Sequence, residues 1–594
     1  MTRIIPYLLI ICSWLIVLIL DQSEASRAHW LFPTIWCLII QRTQRSGNRN
    51  IAYLSYITFL MMSLADAIGF SNENFVALCS YLTVTFSVFF FLCFIRQVQS
   101  RSGLRIAPVL NLVSTLALSI LPLTFIIHSI DLGATFSKDI VFAIMATNIN
   151  ESIEFGLTHL SFFWVILALT FITVIASLSF NKPTNDQSNQ SLARPFILSI
   201  VFAILSIVQP ENLRLYRDPI SAVRQYQREI ASFIEMQNKF QLNDAEFTAS
   251  KHEQGETYVI VIGESLNKDH MSLYGYPRTT TPRLDEHSKS DQFLRFSNAF
   301  SSHTHTSESL SLALTEANQI NQKKYYKSVS ICNILKQAQI ESIWITNQSL
   351  RGQFDDITSV IAHQADSLIS YNHWGGDMVK QSHYDESLLE SYSEILAQKS
   401  DKTRAIFIHL LGNHWQYKDR YPSRYSIFPL PVETVGPWLN LPHDLQQCVN
   451  EYDNSVAYND YVVGTALTLL QEQGGANAFV YFSDHGEDAY GDAKHNSSNF
   501  TLEMIKTPLI VWLSNSYTSR YPDKSAAATD NIDALYCNDA IYDTLIGLLN
   551  IETPRYEKSK DLFSRNYRLN PEDAYTLHGR VKIPLDAVRT QHVE

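Results

Sequence analysis

The chain has 594 residues, of which 46% are hydrophobic and 18% are charged, and its net charge is −12. A chain of this length is expected to form at least two domains, and a net negative charge does not indicate a nucleic acid-binding protein. The seven cysteines include no Cys-x-x-Cys spacing, which excludes a disulfide scaffold.

The first 209 residues contain seven apolar segments separated by polar loops. The segments are Ile4–Leu20, Trp30–Ile40, Ile51–Phe70, Phe75–Ile95, Ile106–Ile127, Leu160–Phe180 and Pro195–Val208. The longer ones approach the roughly 20 residues that a membrane-spanning helix needs, whereas Trp30–Ile40 and Pro195–Val208 are short. We therefore predict a transmembrane domain of five to seven helices over residues 1–209.

Basic residues are concentrated in alternate loops between these segments. The basic loops contain Arg3, Arg42, Arg45, Arg49, Arg96, Arg101, Arg105, Lys182 and Arg194, and the other loops contain Arg27 and Lys138. The positive-inside rule places the basic loops in the cytoplasm. With an odd number of spans, everything after Pro210 is then expected outside the cytoplasmic membrane.

One external loop, Ala146–Glu151, carries polar side chains at the expected outer membrane boundary. A solvated loop is the simpler interpretation of these residues. The alternative is contact with a lipid head group, in which Glu151 faces an ammonium group and Asn148 donates to a phosphate.

Residues 210–250 form a connector in which apolar side chains recur at helical spacing. They are Ala222, Val223, Tyr226, Ile230, Phe233 and Ile234. This pattern predicts an amphipathic helix that lies either on the membrane or against the second domain.

In residues 251–594, apolar runs alternate with helical stretches. The runs are Tyr258–Ile262, Ser342–Ile345, Ala405–Leu411, Ala478–Phe482 and Leu509–Leu513. Runs of this length that are apolar on both faces are typical of buried parallel strands. We predict an α/β/α domain in which the residues that follow the strands meet at the carboxyl edge of the sheet.

Three polar residues follow such strands directly or closely: Glu264, His414 and Asp484. Glu264, Asp484 and the adjacent His485 could supply oxygen and nitrogen ligands. This mixture suits zinc, whereas a more oxygen-rich set would suit manganese or magnesium. His414 and His495 could act as general acids or bases, or could bind a second metal.

Thr306 begins a predicted helix that extends to Thr315. A hydroxyl at this position is usually only a helix cap. The amino end of a helix also binds anions, however, and a metal-bound hydroxyl can become a nucleophile. Thr306 is therefore a candidate for a covalent phospho-threonine intermediate, with Thr304 and Ser307 as alternatives.

Taken together, these residues resemble the membrane-bound phosphoethanolamine transferases of Gram-negative bacteria, in the alkaline-phosphatase/sulfatase superfamily. The stretches that carry the resemblance are Ile262–Ser265, Leu273–Pro282, Thr306–Asn318, His409–His414 with Arg420–Pro422, Tyr452–Ser455, and Ser483–Glu487 with His495. The loop Thr147–Glu151 is similar to the lipid head-group loop of this family.

The resemblance implies a role for each matching residue. Thr306 would accept phosphoethanolamine. Zinc would be held by Glu264, Thr306, Asp484 and His485, and the substrate would be served by His414, His495, Asn148 and Glu151. The donor would be phosphatidylethanolamine and the acceptor lipopolysaccharide, at its core or at lipid A, with the core-modifying branch the most similar. We expect a monomeric inner-membrane enzyme whose catalytic domain (residues 251–594) is periplasmic.

Two departures concern the acceptor. The lipid A branch has a cysteine-rich soluble domain, which this chain lacks, and carries Ser-Val-Pro-Cys where this chain has Glu308–Ser311. The alternative function is a glycerolphosphate transferase of the lipoteichoic-acid-synthase type, against which Arg420–Pro422 and the Thr147–Glu151 loop argue. A sulfatase and a non-enzymatic membrane sensor fit the residues less well.

Overall fold

The computed structural model describes residues 5–20, 30–46, 48–69, 75–102, 106–131, 137–147, 156, 161–180, 191–208, 213–242, 247–348, 356–372, 384–428, 441–491 and 494–584. Asn148 and Glu151 of the predicted head-group loop lie outside these residues. The chain divides into two compact units, Met1–Phe142 with Ile149–Gln225, and Ala143–Asn148 with Tyr226–Glu594. The division therefore falls within the predicted connector.

The first unit is helical, as the apolar segments predict. Its described helices are Ile5–Leu20 (α1), Leu31–Ser46 (α2), Arg49–Gly69 (α3), Phe75–Ser102 (α4), Ala107–Asp131 (α5), Phe162–Phe180 (α7) and Ala193–Val208 (α8). Two further helices, Lys138–Ala146 (α6) and Arg214–Leu242 (α9), each have residues in both units.

Four stretches of these helices are long and apolar enough to cross a membrane. They are Arg49–Ile68, Val76–Ser102, Ala107–Asp131 and Phe162–Phe180. Helix α8 is apolar but shorter, with 16 residues. Length and composition thus support four spans among the described residues, and the count of five to seven stays a prediction.

A buried ion pair lies inside this helical unit. Asp66 of α3 is fully buried and accepts hydrogen bonds from Arg214 Nε at 2.7 Å and Arg214 Nη2 at 2.8 Å. The hydroxyl of Tyr81 in α4 also donates to Asp66, at 2.8 Å. Because an unpaired carboxylate inside an apolar helix bundle is costly, this pair fixes the start of α9 within the unit.

The second unit contains every described strand and the remaining helices. The strands are Thr257–Gly263 (β1), Phe293–Arg295 (β2), Asn298–Phe300 (β3), Glu341–Thr346 (β4), Ser367–Ser370 (β5), Arg404–His409 (β6), Asn477–Ser483 (β7), Leu509–Leu513 (β8), Leu535–Cys537 (β9), Tyr575–Thr576 (β10) and Val581–Lys582 (β11). The α-helices are Pro282–His287 (α10), Thr306–Ala313 (α11), Ile331–Gln337 (α12), Ile357–Ala362 (α13), Leu388–Ala397 (α14), His443–Gln471 (α15), Asn515–Arg520 (α16), Pro522–Asp530 (α17) and Ile541–Leu548 (α18).

Seven strands form the central sheet in the order β2-β8-β7-β1-β6-β4-β5. Strands β7, β1, β6, β4 and β5 are parallel, and every residue of β1, β6 and β7 is buried. Parallel strands buried on both faces are the expected arrangement of an α/β fold. The predicted order, a domain of apolar helices followed by an α/β domain, is confirmed.

One strand direction was predicted wrongly. The apolar run Leu509–Leu513 was expected to be parallel, but β8 pairs with β7 in the antiparallel direction. A parallel neighbour needs a crossover connection, usually a helix. The segment between β7 and β8 contains only the short 3-10 turns Ser497–Asn499 and Leu502–Ile505 among its described residues, and the chain returns antiparallel beside β7.

The carboxyl-terminal half of α9 belongs to the second unit and packs against the rest of it. Phe233 and Gln237 are buried, and the Phe233 ring lies 6.4 Å from that of Tyr325. Gln237 donates to the backbone oxygen of Ser328 at 3.0 Å, and Tyr325 donates to the Glu229 carboxylate. Of the two surfaces that the connector sequence left open, this half of the helix uses the second domain.

Replacing Arg214 by methionine should destabilise the helical unit. The change leaves the buried carboxylate of Asp66 without its charged partner, which typically costs about 3–5 kcal/mol of unfolding free energy. Thermal unfolding of the full chain in detergent measures the effect. Arg217→Met is the matched control, because the Arg217–Asp218 pair has 43% and 45% of its side-chain area exposed. Equal shifts in the two variants would contradict the role of the buried pair.

Candidate active site

The register of two central strands brings distant residues of the chain together. Gly263 at the end of β1 pairs with Ser483 at the end of β7. Glu264 and Asp484 directly follow these two strands, so the two carboxylates lie side by side at the carboxyl edge of the sheet. Both residues are buried, with 1% and 0% of their surface exposed.

Ser265 adopts a backbone conformation that connects these two carboxylates. Its φ of 55° is in the left-handed region, which is strained for a residue other than glycine. The Ser265 backbone N–H donates to Asp484 Oδ1 at 3.0 Å, and its hydroxyl donates to Glu264 Oε1 at 2.9 Å. Strain at this position is therefore offset by hydrogen bonds that orient both acidic side chains.

Two glycines in the sequence motifs permit close backbone contacts at this edge. Gly412 has a φ of 54°, and a Cβ atom there would lie 2.9 Å from the backbone nitrogen and oxygen of Glu264. A Cβ at Gly486 would lie 2.4 Å from the backbone oxygen of Glu503. These distances explain why glycine precedes Asn413 and follows His485 in the two motifs.

Glu264, Asp484 and His485 form a compact group of metal-ligating atoms. One atom from each residue lies within 4.8 Å of the others, and His485 Nε2 is 3.4 Å from both Glu264 Oε1 and Asp484 Oδ2. The hydroxyl of Thr306, at the first residue of α11, donates to Glu264 Oε2 at 3.1 Å. All four residues proposed as metal ligands are therefore brought together.

The donor set fits a zinc ion. Asp484 Oδ2 is buried and makes no hydrogen bond within the described residues, which leaves it available to a cation. His485 Nδ1 contacts the backbone oxygen of Gly486 at 2.8 Å and therefore carries a proton. The Nε2 atom, which faces the carboxylates, is then the ligating nitrogen. Two carboxylates, one imidazole and one hydroxyl would supply the four ligands that zinc commonly takes.

The buried charges of this group perturb one another strongly. Burial and the charge of Glu264 raise the pKa of Asp484 to about 7. Burial lowers the pKa of His485, but the charge of Asp484 and the hydrogen bond to Glu264 outweigh it and raise this pKa to about 10. Burial alone would raise the pKa of Glu264, whereas the hydrogen bond and charge of His485 hold it well below its usual range. The metal-free site therefore retains a proton on His485.

His414 and His495 lie beside the metal-ligating group. The His495 ring centroid is 5.0 Å from that of His485 and 6.4 Å from that of His414. His495 Nδ1 is 2.7 Å from Glu487 Oε2, and His414 Nδ1 is 2.7 Å from the backbone oxygen of Trp415. In each histidine the contact at Nδ1 fixes the ring, and Nε2 is the nitrogen that would exchange a proton with a substrate.

Thr304, one of the two alternative nucleophiles, has different surroundings from Thr306. Thr304 Oγ1 is buried and makes no hydrogen bond within the described residues. Among the hydrogen bonds of the described residues, Thr306 is the threonine that contacts Glu264. Geometry thus favours Thr306 as the nucleophile.

Two site residues were not assigned a role from the sequence. Glu487 orients His495 and accepts from the hydroxyl of Tyr417. Gln348 Nε2 donates to Glu264 Oε2 at 3.3 Å and to the Leu410 backbone oxygen at 2.8 Å. Both carried a usable signal, since Glu487 closes the Asp-His-Gly-Glu run and Gln348 follows β4 at the same sheet edge.

Comparison with known proteins identifies the family. The sulfatase family model matches residues 256–551. The C-terminal periplasmic domain of EptC from Escherichia coli, solved in complex with Zn, is 30% identical, with a TM-score of 0.53. The match covers 58% of this chain and 96% of that domain. The chain belongs to the phosphoethanolamine transferase family.

Relatives in this family extend the match beyond the catalytic unit. The phosphoethanolamine transferase EptC of E. coli K12 is 29% identical over 468 residues, which cover 73% of this chain and 79% of EptC. The phosphoethanolamine transferase CptA of Salmonella typhimurium is 28% identical over 473 residues, with the same coverage. The integral membrane protein lipooligosaccharide phosphoethanolamine transferase A (EptA) from Neisseria meningitidis is 18% identical, with a TM-score of 0.57. That match covers 86% of the chain described here and 97% of EptA, which shows a shared fold.

Zinc binding should be strongly pH dependent. Zinc has to displace the proton of His485 below pH 10 and, as the pH falls through 7, that of Asp484 as well. Affinity should therefore fall about tenfold for each pH unit below pH 10 and more steeply below pH 7. Calorimetric titration of the metal-free full chain in buffers of different ionisation heat measures the protons released. A pH-independent affinity would contradict this account.

Asp484→Asn should abolish stoichiometric zinc binding, because it removes the carboxylate that faces the ion. Metal analysis of the purified chain provides the measurement. Asp460→Asn is the matched control, since Asp460 is also buried in this unit but accepts hydrogen bonds from the backbone of Arg283 and Leu284. The control should retain zinc, and loss in both variants would point to unfolding.

Proposed function

We propose that this enzyme transfers phosphoethanolamine from phosphatidylethanolamine to an envelope glycolipid, at the lipopolysaccharide core or lipid A, through a phospho-threonine intermediate on Thr306. The observation that carries the proposal is the hydrogen bond between the Thr306 hydroxyl and Glu264, a member of a buried metal-ligating group. Relatives described as phosphoethanolamine transferases and one described as a lipooligosaccharide phosphoethanolamine transferase support this substrate class.

The residues that would hold zinc are Glu264, Thr306, Asp484 and His485. Zinc would lower the pKa of the threonine hydroxyl and neutralise negative charge on the phosphate. The single imidazole and the small ligand number favour zinc over manganese or magnesium, which prefer oxygen-rich sites of higher coordination. The zinc-bound crystal structure of the EptC domain supports the same choice.

In the first step, the Thr306 oxygen attacks the phosphorus of the lipid donor. Its proton passes to Glu264 Oε2, the acceptor of the Thr306 hydrogen bond. The new Thr306 O–P bond forms as the bond from phosphorus to the glycerol oxygen breaks, and diacylglycerol leaves after protonation. The amino end of α11, where Thr306 lies, directs the positive end of the helix dipole toward the phosphate oxygens and stabilises them.

His414 and His495 are the proposed acid–base residues. Their rings flank the metal-ligating group, and His495 is oriented by the buried carboxylate of Glu487. One protonates the departing glycerol oxygen, and in the second step one removes the proton of the acceptor hydroxyl that attacks phospho-Thr306. The bond from the acceptor oxygen to phosphorus forms as the Thr306 O–P bond breaks, and the threonine oxygen regains its proton from Glu264. The acceptor then carries phosphoethanolamine, and the free threonine is restored.

The proposed location is the bacterial inner membrane, with the catalytic unit in the periplasm. The candidate spans support insertion into a membrane, and the basic residues of alternate loops, which the positive-inside rule places in the cytoplasm, support this orientation. ATP is absent from that compartment, so a membrane lipid is the natural source of the phosphoryl group. Asn148 and Glu151 are proposed to contact the lipid head group, and we propose that the enzyme acts as a monomer.

Thr306→Ala should abolish transfer while leaving the protein folded and able to bind the membrane. Loss of a covalent nucleophile typically lowers turnover by about 10³-fold or more. Mass spectrometry of envelope glycolipids from cells that express each variant provides the measurement. Thr304→Ala is the matched control and should retain activity.

The same experiment identifies the chemical group that the enzyme transfers. The wild-type enzyme should add one phosphoethanolamine unit to the glycolipid, and the fragment that carries it identifies the acceptor. Addition of glycerolphosphate would instead support the lipoteichoic-acid-synthase type of reaction. Full activity of Thr306→Ala would place the nucleophile elsewhere.

A further inference from the structure

A short hairpin near the carboxyl terminus contacts the segment that carries Thr306. Strands β10 and β11 pair in the antiparallel direction, and residues 577–580 form the turn between them. This C-terminal hairpin, residues 575–582, lies beyond residue 551, where the match to the sulfatase family model ends. Its role is therefore not accounted for by the fold that sulfatases share.

The turn of the hairpin is strained. Leu577, His578 and Gly579 have φ angles of 50°, 54° and 84°, so three consecutive residues are in the left-handed region. Glycine adopts this conformation readily, but leucine and histidine do so at a cost in free energy. Such a turn persists where surrounding contacts hold it, and strain of this kind is concentrated at functional sites.

The contacts of the hairpin are made on both sides of Thr306. Before it, Thr576 Oγ1 donates to the backbone oxygen of Ser301 at 3.0 Å. The backbone N–H of His578 donates to the backbone oxygen of Ser302 at 3.2 Å. After it, His578 Nε2 donates to the backbone oxygen of Glu308 at 3.0 Å. Residue 578 thus connects the two ends of the segment 302–308.

The opposite side of the same segment is fastened to the metal-ligating loop. Ser309 Oγ donates to the backbone oxygen of Asp484 at 2.6 Å. Asn538 Nδ2 donates to Ser309 Oγ and to the same backbone oxygen, each at 2.8 Å. The first turns of α11 are therefore held between the Asp484 loop and the hairpin. Because Thr306 is the first residue of this helix, its hydroxyl position depends on both attachments.

The histidines beneath the hairpin lie beside a cationic side chain. His303, His305 and Glu308 each offer a ligating atom within 4.8 Å of the others. His303 Nδ1, however, accepts the backbone N–H of His305 at 3.2 Å. Its other ring nitrogen, Nε2, lies 3.4 Å from the guanidinium of Arg580, a cation that would oppose a metal ion. The His578 ring packs 4.9 Å from that of His303, which fits a bracing role.

We propose that the C-terminal hairpin positions the nucleophile, and that His578 is a positioning residue for the transfer reaction. The N–H at His578 Nε2 holds the Glu308 carbonyl, and the strained turn presents that N–H to the first turn of α11. The inference rests on the proposed function, because it takes Thr306 as the attacking group. Its effect is on the geometry of attack rather than on zinc or donor binding.

The test compares two replacements of His578 in the full chain in detergent. His578→Phe retains an aromatic ring against His303 but removes the donor to Glu308. His578→Gln supplies a side-chain N–H that can reach the same carbonyl. We expect His578→Phe to lower kcat by about ten- to hundredfold, the range for a small misplacement of a reacting group. The KM for phosphatidylethanolamine and the zinc content should not change, and His578→Gln should recover a large part of kcat.

A matched control separates positioning from general destabilisation. His363 also contacts a helix carbonyl through its ring, with Nδ1 at 2.8 Å from the backbone oxygen of Ser359, but lies in α13's carboxyl-terminal cap. His363→Phe should retain wild-type kcat. Unchanged kcat in His578→Phe, or equal losses in the Phe and Gln variants, would overturn the inference. Turnover by Thr306→Ala would instead contradict the proposed function, whatever the His578 variants do.

Discussion

Two carboxylates that are buried side by side impose the constraint on which the site depends. The pairing of β1 with β7 places Glu264 next to Asp484, and their mutual repulsion contributes to the raised pKa of Asp484. Such a pair is stabilised by a proton on one carboxyl group or by a positive charge between or beside the two. In the metal-free enzyme that charge is the protonated His485, and with zinc bound the ion would replace the proton. The strained Ser265 and the close approach of Gly412 both serve this arrangement.

The same constraint accounts for the proposed role of Thr306 as the nucleophile. An ordinary hydroxyl is a weak nucleophile, and a position at the start of a helix usually indicates only a cap. Thr306 differs because its hydroxyl contacts a carboxylate of the metal-ligating group, and because α11 is attached to the backbone of Asp484 through Ser309. The proposed nucleophile and the metal-ligating group are thus joined through the protein framework. The C-terminal hairpin adds an attachment on the other side of the helix.

Much of the site could be predicted because the carboxyl-edge rule applies to parallel strands. Glu264 and Asp484 each follow a buried apolar run, and their convergence follows from sheet geometry rather than from sequence proximity. The direction of β8 could not be obtained in this way, since a buried strand is apolar on both faces whether its neighbour is parallel or antiparallel. Gln348 was within reach of the same rule, but an amide gives a weaker signal than a carboxylate.

Other features carried no readable pattern in the sequence. The hairpin strands β10 and β11 have two residues each, too few to show the alternation that identifies a strand. His578 is a single histidine in a turn, and its contact with Glu308 joins residues 270 positions apart in the chain. The surface used by the connector helix was also undetermined, because an amphipathic helix fits a membrane and a protein surface equally well.

The central claim is that the phosphoryl group passes through Thr306, and peptide mass spectrometry of the enzyme itself tests it most directly. The purified full chain with zinc is incubated with phosphatidylethanolamine in the absence of an acceptor, quenched in acid and digested. We predict a phosphoethanolamine adduct on the peptide that contains Thr306, absent from Thr306→Ala and discharged when an acceptor glycolipid is added. An adduct on a different residue, or active transfer by an enzyme that never carries one, would contradict the account.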